Sequence, residues 1–489
     1  MSALILLGTA CNSDDDGIDN DISNNPYKKI ELTRTEQEMV GANNDFAFNF
    51  FNQLSSLEGE KNMMVSPLSL AQALSMLANG ADGNTKIELM NVLGFGAYSV
   101  EEMNAYYMNL NKGLLSADKT SKIALANSFW VNNRYKAKSD YKKVLKNNYN
   151  AEVKELAFNN KTYKQINQWA ERNTNGCIKE LVSENEINSE TVMALLNAIY
   201  FKASWESEFI ENDNLRSDFT TPEGDVDVEY MTKNTIALGY KDENCKLLKL
   251  YYGNEAFNMV LLLPNEDKTL DQVLQGINGE KWQEMTNQIT VLQNAEIQLP
   301  KFKGKYSYKE NLKKALKNMG ITDAFSQSAN FSKMMDNPIF VNLIKQNTSM
   351  AIDEKGTEAS AVTIVGGESI GGPNWREEVF EFKATRPFFY LIEESSTDAI
   401  LFMGKVTTYM NVYQNFEILG NKDGFDVTNY LKKNGYSFGS GEINTGGKHG
   451  DRAYVTFEGT LKKTNGGYAR FDFSYYIKTG DLNISKKKM

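Results

Sequence analysis

Apolar residues recur at helical spacing early in the chain. Met39, Phe46, Phe50 and Leu54 fall on one face of a helix predicted over 36–54. Ser66-Pro67 opens a second helix, with a serine cap followed by a proline at the first helical position. Leu68, Ala71, Leu74, Met76, Leu77 and Ala78 make that helix apolar on most sides, which predicts burial. Gly80 and Gly83 mark its end. The stretches 123–131, 192–201 and 257–263 are mostly apolar throughout, as expected of strands covered on both faces. Helices and strands are mixed along the chain, so the class is α+β.

The pattern changes at both ends. Beyond Val406, residues 453–459 and 468–476 alternate or are rich in β-formers. Thr464-Asn465-Gly466-Gly467 lies between them as a hairpin signal. A small all-β appendix is predicted over 408–489. Residues 12–30 are rich in Asp and Asn, with Gly and Pro, and read as a flexible tether. The main folded domain then spans 31–407. No stretch approaches the run of apolar residues that a membrane-spanning helix needs.

Composition narrows the chemistry. The net charge of −10 argues against nucleic acid as a partner. The single histidine, His449, argues against a histidine-dependent hydrolase and a multi-histidine zinc site, and no metal or cofactor is expected. Gly435-Tyr436-Ser437-Phe438-Gly439 fits G-x-S-x-G. It sits in a glycine-rich loop with only Glu442 between it and His449, so it reads as a turn. Of the three cysteines, Cys177 and Cys245 read as free packing thiols and imply no disulfide framework.

The most informative stretch is Glu354-Lys355-Gly356-Thr357-Glu358-Ala359-Ser360-Ala361-Val362-Thr363. It holds one glycine, a run of small or β-branched residues, and no proline until Pro373. Such a segment can be an exposed loop or enter a sheet. As a strand it would place Thr357, Ala359, Ala361 and Thr363 on one face, all small enough to be buried. A proline would remove a ladder hydrogen bond.

With its surroundings, this stretch resembles the serpin family of protease inhibitors. The resemblance rests on NMMVSPLSLAQALSMLANGADGNT at 62–85, INQWAERNTNGCI at 166–178 and LNAIYFKASWESEF at 196–209. MVLLLP at 259–264, LPKF at 299–302 and GITDAF at 320–325 follow, then FKATRPF at 382–388 and LFMGKV at 401–406. It implies a large central sheet, further sheets, about nine helices and an exposed reactive loop. It also implies inhibition by suicide-substrate trapping, with no catalytic residue in the inhibitor. A target serine protease attacks the loop and forms a covalent acyl complex. The cleaved loop then enters the sheet as a new strand and carries the protease with it.

Site residues follow from the same resemblance. The hinge is Glu354, Gly356, Thr357, Glu358, Ala359, Ser360, Ala361, Val362 and Thr363. Counting Glu354 as the first residue, the seventeenth is Ile370, which places the scissile bond at Ile370–Gly371 and suits an elastase-like or subtilisin-like enzyme. Counting back from Pro387 gives sites between about Pro373 and Arg376, and Arg376 would suit a trypsin-like one. Ser66, Ser69 and Asn197 match polar residues beneath the sheet where its strands part. Gln346 replaces the family's histidine there, and an amide can both donate and accept. Lys301 matches a lysine that pairs with the hinge glutamate, and Trp205 a tryptophan at the loop's entry point. The heparin-binding members carry basic residues near 110–125. This chain has only Lys112, Lys119 and Lys122 there, so no heparin site is expected.

Cys11 closes the apolar run Ala3 to Ala10 and precedes Asn12-Ser13-Asp14-Asp15-Asp16. This resembles a bacterial lipoprotein signal, whose cysteine would carry a lipid anchor on the outer-membrane surface. The alternative is an N-terminal segment without an anchor. Two other readings stand beside inhibition by a monomer. One is a non-inhibitory serpin acting as a binding module, the other an adhesive lipoprotein whose appendix is the active part.

Overall fold

The computed structural model describes residues 25–176, 178–222, 224–357 and 379–408, with separate strands between Tyr436 and Lys487. The chain forms two compact units. One comprises Met1–Leu215 and Glu229–Thr407, the other Arg216–Val228 and Thr408–Met489.

In the first unit, α1 (Arg34–Glu58) is longer than predicted, because Thr33 and Glu36 form a reciprocal capping box ahead of the apolar face. Met39, Phe46, Phe50 and Leu54 are all buried, as their spacing requires. Helix α2 (Pro67–Gly80) is capped by Ser66, whose side chain accepts the Ser69 N–H at 3.3 Å. Such a cap contributes about 1 kcal/mol. Every residue of α2 except Asn79 is buried. The helix ends at Gly80, and Gly83 begins the next helix instead of closing this one.

The smaller sheet positions the site. Its strands are β1 (Lys122–Asn132), β2 (Glu152–Leu156), β3 (Met193–Ser204), β4 (Phe302–Tyr308), β5 (Gln346–Asp353) and β6 (Gly356–Thr357). Their order is β4-β5-β6-β3-β1-β2. Strand β3 is buried almost from end to end, and alternation decides what covers each face. Ala194, Leu196 and Ala198 join a core with Trp169 of α3 (Thr162–Asn173) and with Ile178, Leu181, Val182 and Ile187 of the linker from α3 to β3. Asn197 points to the other face, toward α2, and meets Ser69.

The larger sheet runs in the order Met63–Val65, Ile400–Val406, Phe388–Glu394, Phe257–Pro264, Cys245–Tyr252, Gly224–Lys241, Thr290–Pro300 and Phe380–Lys383. Phe257–Pro264 is wholly buried, as its mostly apolar run predicts. Cys245 is buried and free, and Cys177 lies outside the described residues. Nine α-helices occur among the described residues, and none is long and apolar enough to cross a membrane.

Residues 25–30 depart from the tether expected over 12–30. Asn25 is buried and donates to Asp118 at 2.6 Å, Tyr27 donates to Glu394 at 2.9 Å, and the Ile30 N–H bonds Ser396 at 2.9 Å. A composition rich in Asn reads as solvated chain, but Asn also satisfies buried polar groups when a partner is fixed opposite it. In the second unit, Tyr436–Asn444, Arg452–Lys463, Tyr468–Tyr476 and Leu482–Lys487 pair antiparallel in sequence order.

Candidate functional site at the seam between two strands

Strands β5 and β3 flank a seam whose two ends differ. At one end Gly356 and Thr357 lie between them as β6. Thr357 pairs antiparallel with Ile352 on one side and Ala203 on the other. At the far end β5 and β3 pair directly and in parallel, through Gln346 with Asn197 and Asn347 with Ala198.

The hinge therefore does not stand wholly outside the sheet, as the resemblance implied; its first strand residues are already in it. Gly356 makes this entry possible. Its φ of +147° is a conformation that side chains disfavour, and a Cβ there would collide with the Ala203 carbonyl oxygen. Thr357 is 1% exposed, and its hydroxyl lies 2.6 Å from that of Tyr252. The predicted small-residue face thus begins to be buried in the intact chain.

Trp205 closes this end. Its indole N–H donates to the Asp353 carbonyl at 2.9 Å, its backbone N–H donates to the Lys355 carbonyl at 2.8 Å, and its ring stacks on Tyr252 at 4.5 Å. Lys301 bonds Glu354 at 3.0 Å and Glu229 at 2.6 Å, and Asn214 also donates to Glu354. Burial raises the Glu354 pKa, but hydrogen bonds from Asn214, the backbone and Lys301 outweigh it, so the carboxyl sits below its usual range.

The far end is closed by a buried amide network. Gln346 accepts the Ser66 N–H at 3.1 Å and donates to the Ser66 carbonyl at 2.8 Å, using both functions of the amide. Ser66 donates to the Leu401 carbonyl at 2.7 Å, and Ser69 donates to Asn197. The network continues through residues that sequence reasoning missed. Asn197 donates to Asn127 at 2.7 Å, and Asn127 to Gln72 at 3.1 Å. Both stand as single amides inside apolar runs, PLSLAQAL and IALANSF, and that was the available signal.

Ser66, Ser69, Asn197 and Gln346 thus meet at one end, and Trp205, Lys301, Glu354, Gly356 and Thr357 at the other. Glu358, Ala359, Ser360, Ala361, Val362, Thr363, Ile370, Gly371, Arg376 and Cys11 lie outside the described residues.

The sheet thus holds the first residues of a strand, Gly356 and Thr357, between β5 and β3 and is closed further along the same seam. The family model for serpins, serine protease inhibitors, matches residues 41–409. The chain belongs to the serpin family. It is similar to an uncharacterized serpin-like protein of Methanosarcina acetivorans, 30% identical over 83% of this chain and 96% of the relative. It is also similar to a serine protease inhibitor of Cyanea capillata, 31% identical over 75% and 97%. Among solved structures it resembles tengpin, a thermophilic serpin in the native state. The TM-score is 0.70 at 30% identity, covering 80% of this chain and 99% of that one. Human thyroxine-binding globulin complexed with thyroxine has the same fold, with a TM-score of 0.68 at 27% identity, covering 76% and 99%. Members of this family are generally protease inhibitors and not enzymes.

Proposed function

We propose that this protein inhibits serine proteases by trapping them, with its loop cleaved and then taken into the smaller sheet. The observation that carries the reading is the register of Thr357. Six residues on, an antiparallel strand continuing from Thr357 would set Thr363 opposite both Gln346 and Asn197, the residues that now pair across the seam. A strand slot is thus begun at one end and closed where the loop would arrive. Thr357, Ala359, Ala361 and Thr363 would share its buried face, and none is bulky.

A trapped protease is bound covalently through its serine to the residue before the cut. About fifteen residues of strand at roughly 3.3 Å each would carry it some 50 Å before deacylation. We assign the scissile bond to Ile370–Gly371 and the target class to elastase-like or subtilisin-like enzymes, and read Cys11 as the lipid anchor of a monomeric surface protein. Ile370→Arg should then move inhibition toward trypsin-like enzymes and Arg376→Ala should change little, because a primary pocket reads one side chain. The test is incubation with a panel of serine proteases, denaturing gels, and mass spectrometry of the released fragment. A complex that survives denaturant and a fragment starting at Gly371 are expected. Cleavage without any complex would contradict trapping, and a fragment starting at Glu377 would move the bond to Arg376.

A further inference from the structure

The linker between α3 and β3 lies across the part of the seam that an incoming strand must open last. Its apolar residues Ile178, Leu181, Val182 and Ile187 pack with Ala194, Leu196 and Ala198 of β3. Asn167 of α3 holds it by accepting the Leu181 and Val182 N–H groups at 2.9 and 3.0 Å. On this side the linker belongs to β3.

One side chain of the linker reaches the other side. Glu186 bonds Lys345 at 3.0 Å and Lys309 at 3.2 Å. Lys345 immediately precedes β5, and Lys309 immediately follows β4. The Ser183 N–H donates to the same carboxylate at 2.8 Å. Glu186 and Lys345 are each only 13% exposed, so this pair is not a solvated surface contact. Asn347 of β5 adds a second tie by donating to the Glu180 carbonyl at 2.9 Å. Glu180 and Glu186 are thus carried on the β3 side, while their partners are carried on the β4–β5 side.

We infer that Glu186, with Lys345 and Lys309, is a clasp across the seam that sets how fast an inserting strand passes beyond Thr363, and so positions the branch between trapping and release. Carrying the register on, residue 364 would lie opposite Lys345, so the clasp meets the strand directly after the amide network. An ion pair holds the two sides only while they stay together. It therefore opposes opening without hindering the earlier, hinge-end residues. The inference rests on the proposed trapping reaction, but strand uptake can be read without any protease.

The test uses the full chain and a synthetic acetylated peptide of residues 357–370, followed by native gels and by the gain in thermal resistance. Glu186→Gln should take up the peptide on the order of three- to tenfold faster than the parent, the range that one partly buried ion pair commands. High salt should change both rates little, because so shielded a pair is weakly screened. Lys345→Gln should act in the same direction from the other side of the seam and serves if Glu186→Gln fails to fold. With a trapped protease, Glu186→Gln should lower the number of inhibitors consumed per enzyme. Equal peptide uptake by parent, Glu186→Gln and Lys345→Gln would overturn the clasp. Complexes with an unchanged rate and stoichiometry would also sink the clasp but leave trapping intact. Faster uptake with no protease complex would sustain the clasp and refute trapping.

Discussion

The hinge end and the far end of the seam hold the same two strands by different means. At the hinge end the chain's own Gly356 and Thr357 fill the gap, held by backbone ladders and by Trp205 stacked on Tyr252. At the far end β5 and β3 pair directly with each other, Gln346 and Asn197 are tied to Ser66 and Ser69 at the start of α2, and the Glu186 carboxylate reaches Lys345. Backbone pairing can simply continue as more strand arrives. At the far end the direct pairing of β5 with β3 and its side-chain ties have to be broken first. The contrast teaches that insertion should begin readily and slow down at Gln346 and Asn197, so the trapping rate is set away from the residues that the protease touches.

The largest expected effect breaks the hinge end. Thr357→Arg would set a cation against Tyr252 in a site 1% exposed, and an unpaired buried charge costs several kcal/mol. The hinge should leave the sheet and the protein should be cleaved as a substrate. Denaturing gels check this, and complexes at the parent stoichiometry would show that Thr357 does not need the slot. Next is Gln346→Ala, which strips the Ser66 N–H and carbonyl of their buried partner at a cost of about 1–3 kcal/mol. It should lower stability to urea and speed peptide uptake together. A stability loss without faster uptake would separate the network from the seam. Lys301→Ala should have a smaller effect, about 1 kcal/mol or less, because its pairs with Glu354 and Glu229 are partly solvated. It should act on hinge mobility, visible in hydrogen exchange near Thr357, with little change at Gln346.

Acid offers a graded test of the far end. Burial raises the Glu186 pKa, but the Ser183 N–H and the Lys345 and Lys309 ammonium groups outweigh it and hold it at about 2, against the usual 4.5. A folded-state pKa below the unfolded one contributes stability that is full above 4.5 and is lost as pH falls through about 2. The urea midpoint should fall across that window, and less steeply in Glu186→Gln. Parallel curves would remove Glu186 from the closure.

Much of this was legible in the chain. Ser66-Pro67 fixes a helix start by chemistry that acts within three residues, and mostly apolar runs mark β3 and Phe257–Pro264 as covered strands. Gly356 was visible as a hinge. That it already sits in the sheet depends on a close approach to the Ala203 carbonyl, which only the register reveals. Glu186 lies in Ser183-Glu184-Asn185-Glu186, which reads as a solvated loop, since its partners are far along the chain at Lys309 and Lys345. Asn25 failed for the same reason: composition announced a tether, and only the distant Asp118 makes it part of the fold.

The central claim is that the intact protein keeps a strand slot it has not filled. It is tested most directly by cutting the loop once between Ile364 and Gly372 and comparing thermal transitions of the intact and cut full-length chains. Completing the strand should raise the transition on the order of 10 °C or more, since several kcal/mol of new burial and pairing shift a protein of this size by that much. An unchanged transition in the cut protein would mean that the slot between β5 and β3 does not accept the loop, and would contradict trapping by insertion.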